Sequence, residues 1–443
     1  MRVSVARFAV LPVIVAGMVA AVPAAAQAPA VPDSVYVIRA ARLLDVETGA
    51  VGPAMIVVRG DRIEAVGSAI AIPAGARVID VAGTVMPGLI DTHTHITSDP
   101  SGGYADRKLH EWPGYAAIVG VKNAQKTLMA GFTTVRNVGS DDWADIALRD
   151  AIRDGLVPGP RIVAAAYSLG ITGGHCDTNG FRPDLGPEPG PEQGIANGIE
   201  QVTQAVRYQL KYGADLIKIC ATGGVLSAGD AVGVPQFTFD EVRAIVETAG
   251  FAGARVAAHA HGVEGIKTAV RAGVASIEHG SILDEEAIAL MKEHGTYLVP
   301  TRMAFEAVVE GARSGALAPW SAQKALEIAP YAERSIGDAI RAGVKIAFGT
   351  DAGVFPHGEN GGEFRLLVDA GMTPLQAIQA ATTHAADLLG EHGVHLGAIK
   401  PGYYADIIGV SGDPLAEIDR MRSIGFIMKD GVVYRMPSRP PTS

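Results

Sequence analysis

Cysteine is nearly missing from this 443-residue chain: Cys176 and Cys220 are the two present. So few exclude the disulfide framework that holds small secreted domains together. In an oxidising compartment they could pair; two buried thiols packed as small apolar side chains are the other reading. Aromatic residues make up 6%, and no run of Lys or Arg occurs against a formal net charge of −10. That balance argues against nucleic acid and anionic membrane surfaces as partners and leaves small-molecule chemistry. No Gly-x-Gly-x-x-Gly stretch follows a strand pattern, so a dinucleotide-binding fold has no support. The one extended apolar run, Phe8 to Val22, falls short of the ~20 residues of a membrane span and contains Pro12.

That run follows Arg2 and Arg7 and precedes Ala24-Ala25-Ala26-Gln27-Ala28, the layout of a secretory signal over residues 1–28. The expectation is an exported protein, periplasmic or secreted, and soluble once the leader is removed. A hydrophobic content of 48% with 54 Gly is that of a folded globular chain. The length suits an α/β barrel of about 250 residues plus a smaller unit.

Short β-branched runs punctuated by Gly, Pro and Asp fill residues 33–84, for example Val35-Tyr36-Val37-Ile38 and Met55-Ile56-Val57-Val58. The pattern returns near the C-terminus in Ala405–Val410, Ser423–Met428 and Gly431–Arg435. The two ends therefore predict one small β-sandwich domain built from 29–84 and 402–436, with a frayed tail at 437–443. Between them, 85–401 alternates strand and helix patterns. Strands are expected at 85–91, 133–138, 161–166, 216–221, 255–259, 275–279, 297–301 and 345–350. Helices are expected at Ile195–Tyr212, Phe239–Ala252, Asp284–Glu293 and Ala322–Ala342. Eight such repeats predict a (β/α)8 TIM-like barrel rather than an open sheet. Long Gly- and Pro-rich loops at 167–194 and 222–236 follow strands and would lie over its mouth.

Metal-type side chains recur at the expected strand ends. His93 and His95 are two apart, so they share one face of a strand. Lys218 stands inside Leu-Ile-Lys-Ile, where a lysine must snorkel out or lose hydration. If buried, its amine is neutral and nucleophilic enough to take up CO2, giving a carbamate able to bridge two cations. His259 and His261 share a strand end, of which one alone need be a ligand; His279 ends the next strand and Asp351 the last. Any one of these would be an ordinary core or surface residue. Four separate strands ending this way make coincidence a poor account, and neutral imidazoles suit zinc.

Pro-Gly-Leu-Ile-Asp-Thr-His-Thr-His, Gly-Asp-Arg-Ile-Glu-Ala-Val-Gly and Lys-Pro-Gly-Tyr-Tyr-Ala-Asp-Ile resemble the amidohydrolase superfamily over nearly the whole chain. Thr-Gly-Gly-His at 172–175, Lys-Ile-Cys-Ala-Thr-Gly-Gly-Val-Leu-Ser at 218–227 and His-Ala-His-Gly at 259–262 resemble a narrower group. It comprises Xaa-Pro and related dipeptidases and ochratoxin-degrading amidohydrolases. Imidazolonepropionases are similar but lack the bridging lysine, so Lys218 argues against them. The resemblance implies two divalent metal ions, with zinc as the default. His93, His95 and Asp351 would hold the first, His259 and His279 the second, and N6-carboxylated Lys218 would bridge them. It implies hydrolysis of small N-acyl amino acids or dipeptides, possible substrates including ochratoxin A, by a hydroxide bridging the metals. Asp351 would act as general base then acid, and His261 or His175 would polarise the carbonyl. Val225 and Arg302 are candidate substrate contacts, Arg302 for a carboxylate. A homo-oligomer is implied as well. A lactone or phosphotriester hydrolase could use the same centre.

Overall fold

The computed structural model describes residues 34–437 apart from 101–103 and 187. The expected signal segment, and all but the first residue of the expected tail, lie outside the described residues. The chain is α/β. Its strands are β1 (Val35–Leu44), β2 (Val51–Arg59), β3 (Arg62–Gly67), β4 (Arg77–Pro87), β5 (Leu89–Thr94), β6 (Phe132–Asn137) and β7 (Arg161–Ala164), then β8 (Ile217–Cys220), β9 (Val256–Ala260), β10 (Ser276–His279), β11 (Tyr297–Val299), β12 (Ile407–Val410), β13 (Ile424–Lys429) and β14 (Val432–Arg435). The helices that matter below are α1 (Arg302–Ser314) and α2 (Pro319–Ala342). Among the described residues no helix is long and apolar enough to cross a membrane.

The expected β-sandwich is instead one seven-stranded mixed sheet, ordered β14-β13-β12-β4-β1-β2-β3. The reason is the length of β4. Its first part pairs parallel with β1, and its last residues, Thr84 to Pro87, pair antiparallel with β12. The two chain ends are thus joined in one ladder. The sheet curls until its far edge meets the chain again: Ile63 N–H donates to Tyr403 O (2.9 Å) and Ala405 N–H to Asp61 O (2.8 Å). Ile38, Ile56, Val58, Ile63, Ile407, Phe426 and Met428 form the core it encloses.

The strand expected at 85–91 is divided between two sheets. At Gly88 the chain leaves β4 for β5, and a Cβ there would lie 2.2–2.9 Å from the Thr133 side chain, so only glycine allows the crossing.

The middle of the chain forms two parallel arcs, β5-β6-β7 and β8-β9-β10-β11. Every residue of β5, β6, β8 and β9 is buried; β8 and β9 are mostly apolar, whereas β5 and β6 bury polar side chains such as Asp91, His93, Arg136 and Asn137. The arcs touch through Leu169, whose N–H donates to Lys218 O (2.7 Å) and whose carbonyl oxygen accepts from Cys220 N–H (2.8 Å). Residues 345–350 do not form the expected eighth strand. They make single bridges: Ile346 to Leu298 in β11, and Ala352 just beyond to Thr94 in β5. Two features limit the pairing. β11 has three residues, and the backbone leaves extended geometry at Asp351 (φ 59°).

Candidate metal centre

Strand ends deliver the chemistry to one place. His93, His95, Lys218, His259, His261, His279, Asp351, His175 and Val225 all line a single cavity of about 210 Å³. His279 and Asp351 sit at the last positions of their segments with left-handed backbone (φ 71° and 59°). Such geometry costs about 1–3 kcal/mol in a non-glycine residue and persists only where the surroundings hold it. At both positions it turns a donor side chain inward. Arg302 is not among the lining residues. Its Nη2 pairs with Glu306 (2.7 Å), while its backbone N–H donates to Glu363 (2.9 Å).

The imidazole protons can be assigned from their partners. His93 Nδ1–H donates to the Glu278 carboxylate (2.7 Å), and His95 Nδ1–H donates to Gly139 O (3.0 Å). The Thr301 hydroxyl gives its proton to Pro300 O (2.8 Å), so it accepts from His279 Nδ1 (2.7 Å). In each neutral ring Nε2 is then left with a lone pair. The Nε2 atoms of His93 and His95 lie 3.5 and 3.4 Å from Asp351 Oδ1, which is buried without a hydrogen-bond partner. His259 Nε2 is likewise buried and unpartnered. Acceptors converging without a donor repel unless a cation lies among them, so these residues fit a metal ion. Two triads, His93/His279/Asp351 and His259/His261/His279, each bring their donor atoms within 4.8 Å of one another.

Electrostatics agree. Burial, with neighbouring positive groups, holds His259 and His279 well below the usual imidazole range and His261 at about 3. Burial raises Asp351, and positive charge beside it, on Lys218 or on the rings of His93 and His95 when protonated, pulls it below the usual carboxylate value; with those rings neutral, that charge would fall to a bound cation. Burial lowers Lys218 to about 8 although Glu278 and Asp351 pull the other way. A usable fraction of its amine is neutral near physiological pH.

Sequence reading alone missed the groups behind this centre. Glu278 is fully buried, paired with Arg136 Nη2 (2.8 Å) and accepting from Ser276 Oγ (2.5 Å). Burial pushes the Glu278 carboxyl up, but Arg136 together with His93 and Lys218 outweighs that and keeps it at about 2. The clue was present: Ser-Ile-Glu-His and Thr-Val-Arg-Asn each carry one charge in an apolar strand, as Leu-Ile-Lys-Ile does. Also missed were Ser227, Asp230 and Lys324, which stand behind His175. Cys176 and Cys220, left open above, form a disulfide that ties the loop after β7 to β8.

The amidohydrolase family profile matches residues 84–435. Ochratoxinase of Aspergillus niger is 32% identical over 376 residues, covering 81% of this chain and 77% of the relative. A crystal structure of a Xaa-Pro dipeptidase with methionine bound in the active site superposes with a TM-score of 0.87 at 42% identity, covering 91% of this chain and all of the other. A prolidase complexed with N-methylphosphonate-L-proline gives 0.83 at 34% identity, with 91% and 100% coverage.

Proposed function

The chain belongs to the amidohydrolase family and is a hydrolase of amide bonds, and on that premise we propose that it cleaves small N-acyl amino acids or dipeptides. The observation that carries the proposal is the convergence of unpaired acceptors, His93 Nε2, His95 Nε2 and Asp351 Oδ1, at one end of the cavity. His93, His95 and Asp351 would hold one divalent ion, and His259 and His279 a second; carboxylated Lys218 would bridge them. Zinc suits this imidazole-rich set. Bound there, the ions supply Lewis-acid polarisation and water acidic enough to act as nucleophile near neutral pH. Asp351, held ionised, takes the water proton and returns it to the leaving amine. His261, beside His259 and His279 in the lining, would polarise the carbonyl oxygen.

The rest of the cavity is apolar, with Val225, Ala304, Phe305, Val308 and Ile336 among its lining residues. An uncharged aliphatic or aromatic group on the substrate matches that wall. The two arcs, with the bridges at Leu169, Ile346 and Ala352, are read as a closed (β/α)8 barrel whose mouth is this cavity. Export through the 1–28 leader belongs to the same proposal, and the Cys176–Cys220 disulfide suits an oxidising compartment.

Metal-loaded protein assayed on dipeptides, N-acyl amino acids, a lactone and a phosphotriester tests this reading. Amide turnover that a chelator abolishes and zinc restores is expected. Lactone or phosphotriester turnover without amide turnover overturns it.

A further inference from the structure

We infer that a second cavity, at the other ends of the strands from the metal centre, binds a free α-amino acid with an apolar side chain. Its occupant is felt at the metal centre through Arg136 and Glu278. The site itself needs nothing from the amide-hydrolase reading; only its effect on turnover rests on that reading.

The first cavity lies where the strands end, and α1 and α2 supply Ala304, Phe305, Val308 and Ile336 to its wall. The second, of about 350 Å³, lies where β8 and β9 begin: Leu216 and Arg255, the residues just before those strands, both line it. That volume falls within the about 300–1,000 Å³ of small-molecule sites. Arg136, from β6, lines it too, although only 2% of that residue is exposed.

Unspent hydrogen-bonding groups face each other across this lining. A guanidinium has five N–H groups. Arg136 spends three, on Thr92 O (2.5 Å), Ser276 Oγ (3.1 Å) and Glu278 Oε1 (2.8 Å). The remaining two, one on each Nη, have no acceptor among the described hydrogen bonds. Asp215 is the complement. Its Oδ2 accepts from Arg149 Nη1 (2.8 Å) and Ala164 N–H (2.9 Å), while Oδ1 accepts from no described donor.

Charge selects the class of ligand. Besides the His392 imidazole, the lining holds two guanidinium groups, Arg136 and Arg255, and two carboxylates, Asp215 and Glu391. A net anion or a net cation upsets that balance, and a zwitterion keeps it. An α-amino acid offers a carboxylate to the spare Arg136 N–H groups and an ammonium to Asp215 Oδ1. Val163, Leu210, Leu216 and Leu389 are left for its side chain. Hydrolysis of dipeptides or N-acyl amino acids releases this class of molecule.

Arg136 is the link between the two cavities. It holds one oxygen of Glu278, and the other meets His93 Nδ1 (2.7 Å). A carboxylate bound to the spare N–H groups competes with Glu278 for one guanidinium, and so disturbs the group that orients His93.

The test titrates L-leucine into zinc-loaded protein by calorimetry, beside leucinamide, which lacks the carboxylate, and 4-methylpentanoate, which lacks the ammonium. L-leucine is expected to bind about tenfold tighter than either. Ala252→Trp, at an exposed lining position, should weaken leucine binding by a similar factor, and Ala214→Leu, which fills the interior, should do the same. Val225→Trp, in the first cavity, should leave it unchanged. Leucine binding lost in Val225→Trp but kept in both other variants overturns the inference, as does leucine binding no better than its two analogues. In turnover, leucine in the second cavity should lower kcat by about fivefold, whereas product bound in the first raises KM. An unchanged kcat at saturating leucine removes the link to His93. Absence of any amide turnover would sink the amide reading alone, and calorimetry then decides the site.

Discussion

His93 Nδ1 and Glu278 Oε2 lie 2.7 Å apart with both side chains buried, and this contact points the His93 lone pair toward Asp351. Glu278 is in turn held by Arg136 and Ser276, so one buried carboxylate orients the His93 ring and neutralises the Arg136 cation. Glu278→Gln should lower metal affinity by about 10- to 100-fold, the usual effect of losing a carboxylate behind a ligating histidine. Glu278→Ala leaves Arg136 uncompensated and should further destabilise the protein by about 3–5 kcal/mol. Metal titration calorimetry and chemical denaturation read the two effects separately. Unchanged affinity in Glu278→Gln would remove the orienting role.

Lys218→Met keeps the length and apolar stem of the side chain but cannot form a carbamate. The variant should hold at most one ion per chain by elemental analysis, and its turnover should fall by more than about a hundredfold. Full occupancy by two ions with wild-type turnover would rule out the bridge.

Asp351→Asn removes the base while leaving one oxygen able to face a cation. A fall in kcat of about 10²–10⁴ with KM little changed is expected. Undiminished kcat at full metal content would transfer the proton role to another group.

Acid should destabilise the metal-free protein. His261, His357 and His259 are buried, and burial holds them at about 3, at about 4 and well below the ordinary value of 6.5, respectively. Below 6.5 the unfolded chain binds protons that the folded chain refuses, so their contribution is present above that pH. It is lost as pH falls toward 4 and then 3. Each unit of difference is worth about 1.4 kcal/mol per group. Denaturation midpoints at pH 7, 6, 5 and 4 should fall stepwise, and a flat series would contradict the burial of these rings as neutral groups.

The Cys176–Cys220 link closes a loop with a sequence separation of 44 residues. Its reduction should destabilise the fold by about 2–4 kcal/mol. Thiol titration of the unfolded, unreduced protein should find no free thiol, and two free thiols would show that the pair is not formed.

Much of this protein follows from the one-dimensional pattern. Alternating apolar strands and helices demand a parallel α/β core, and charged or imidazole side chains placed at strand ends must meet where those ends gather. The meeting of His93, His95, Lys218, His259, His279 and Asp351 at one cavity was legible for that reason. What needed three dimensions was every feature set by partners distant in sequence. The single sheet in place of a sandwich depends on which residues of β4 pair with β1 and which with β12. The left-handed turns at His279 and Asp351 depend on packing, not on local preference. Arg302 follows a strand as expected, yet its Nη2 pairs with Glu306 one helical turn on and it is not among the residues that line the cavity. The proton positions on His93 and His279 were set by Glu278 and Thr301. A tautomer is decided by the donor or acceptor that the fold brings to a nitrogen, and residue order alone does not contain that contact.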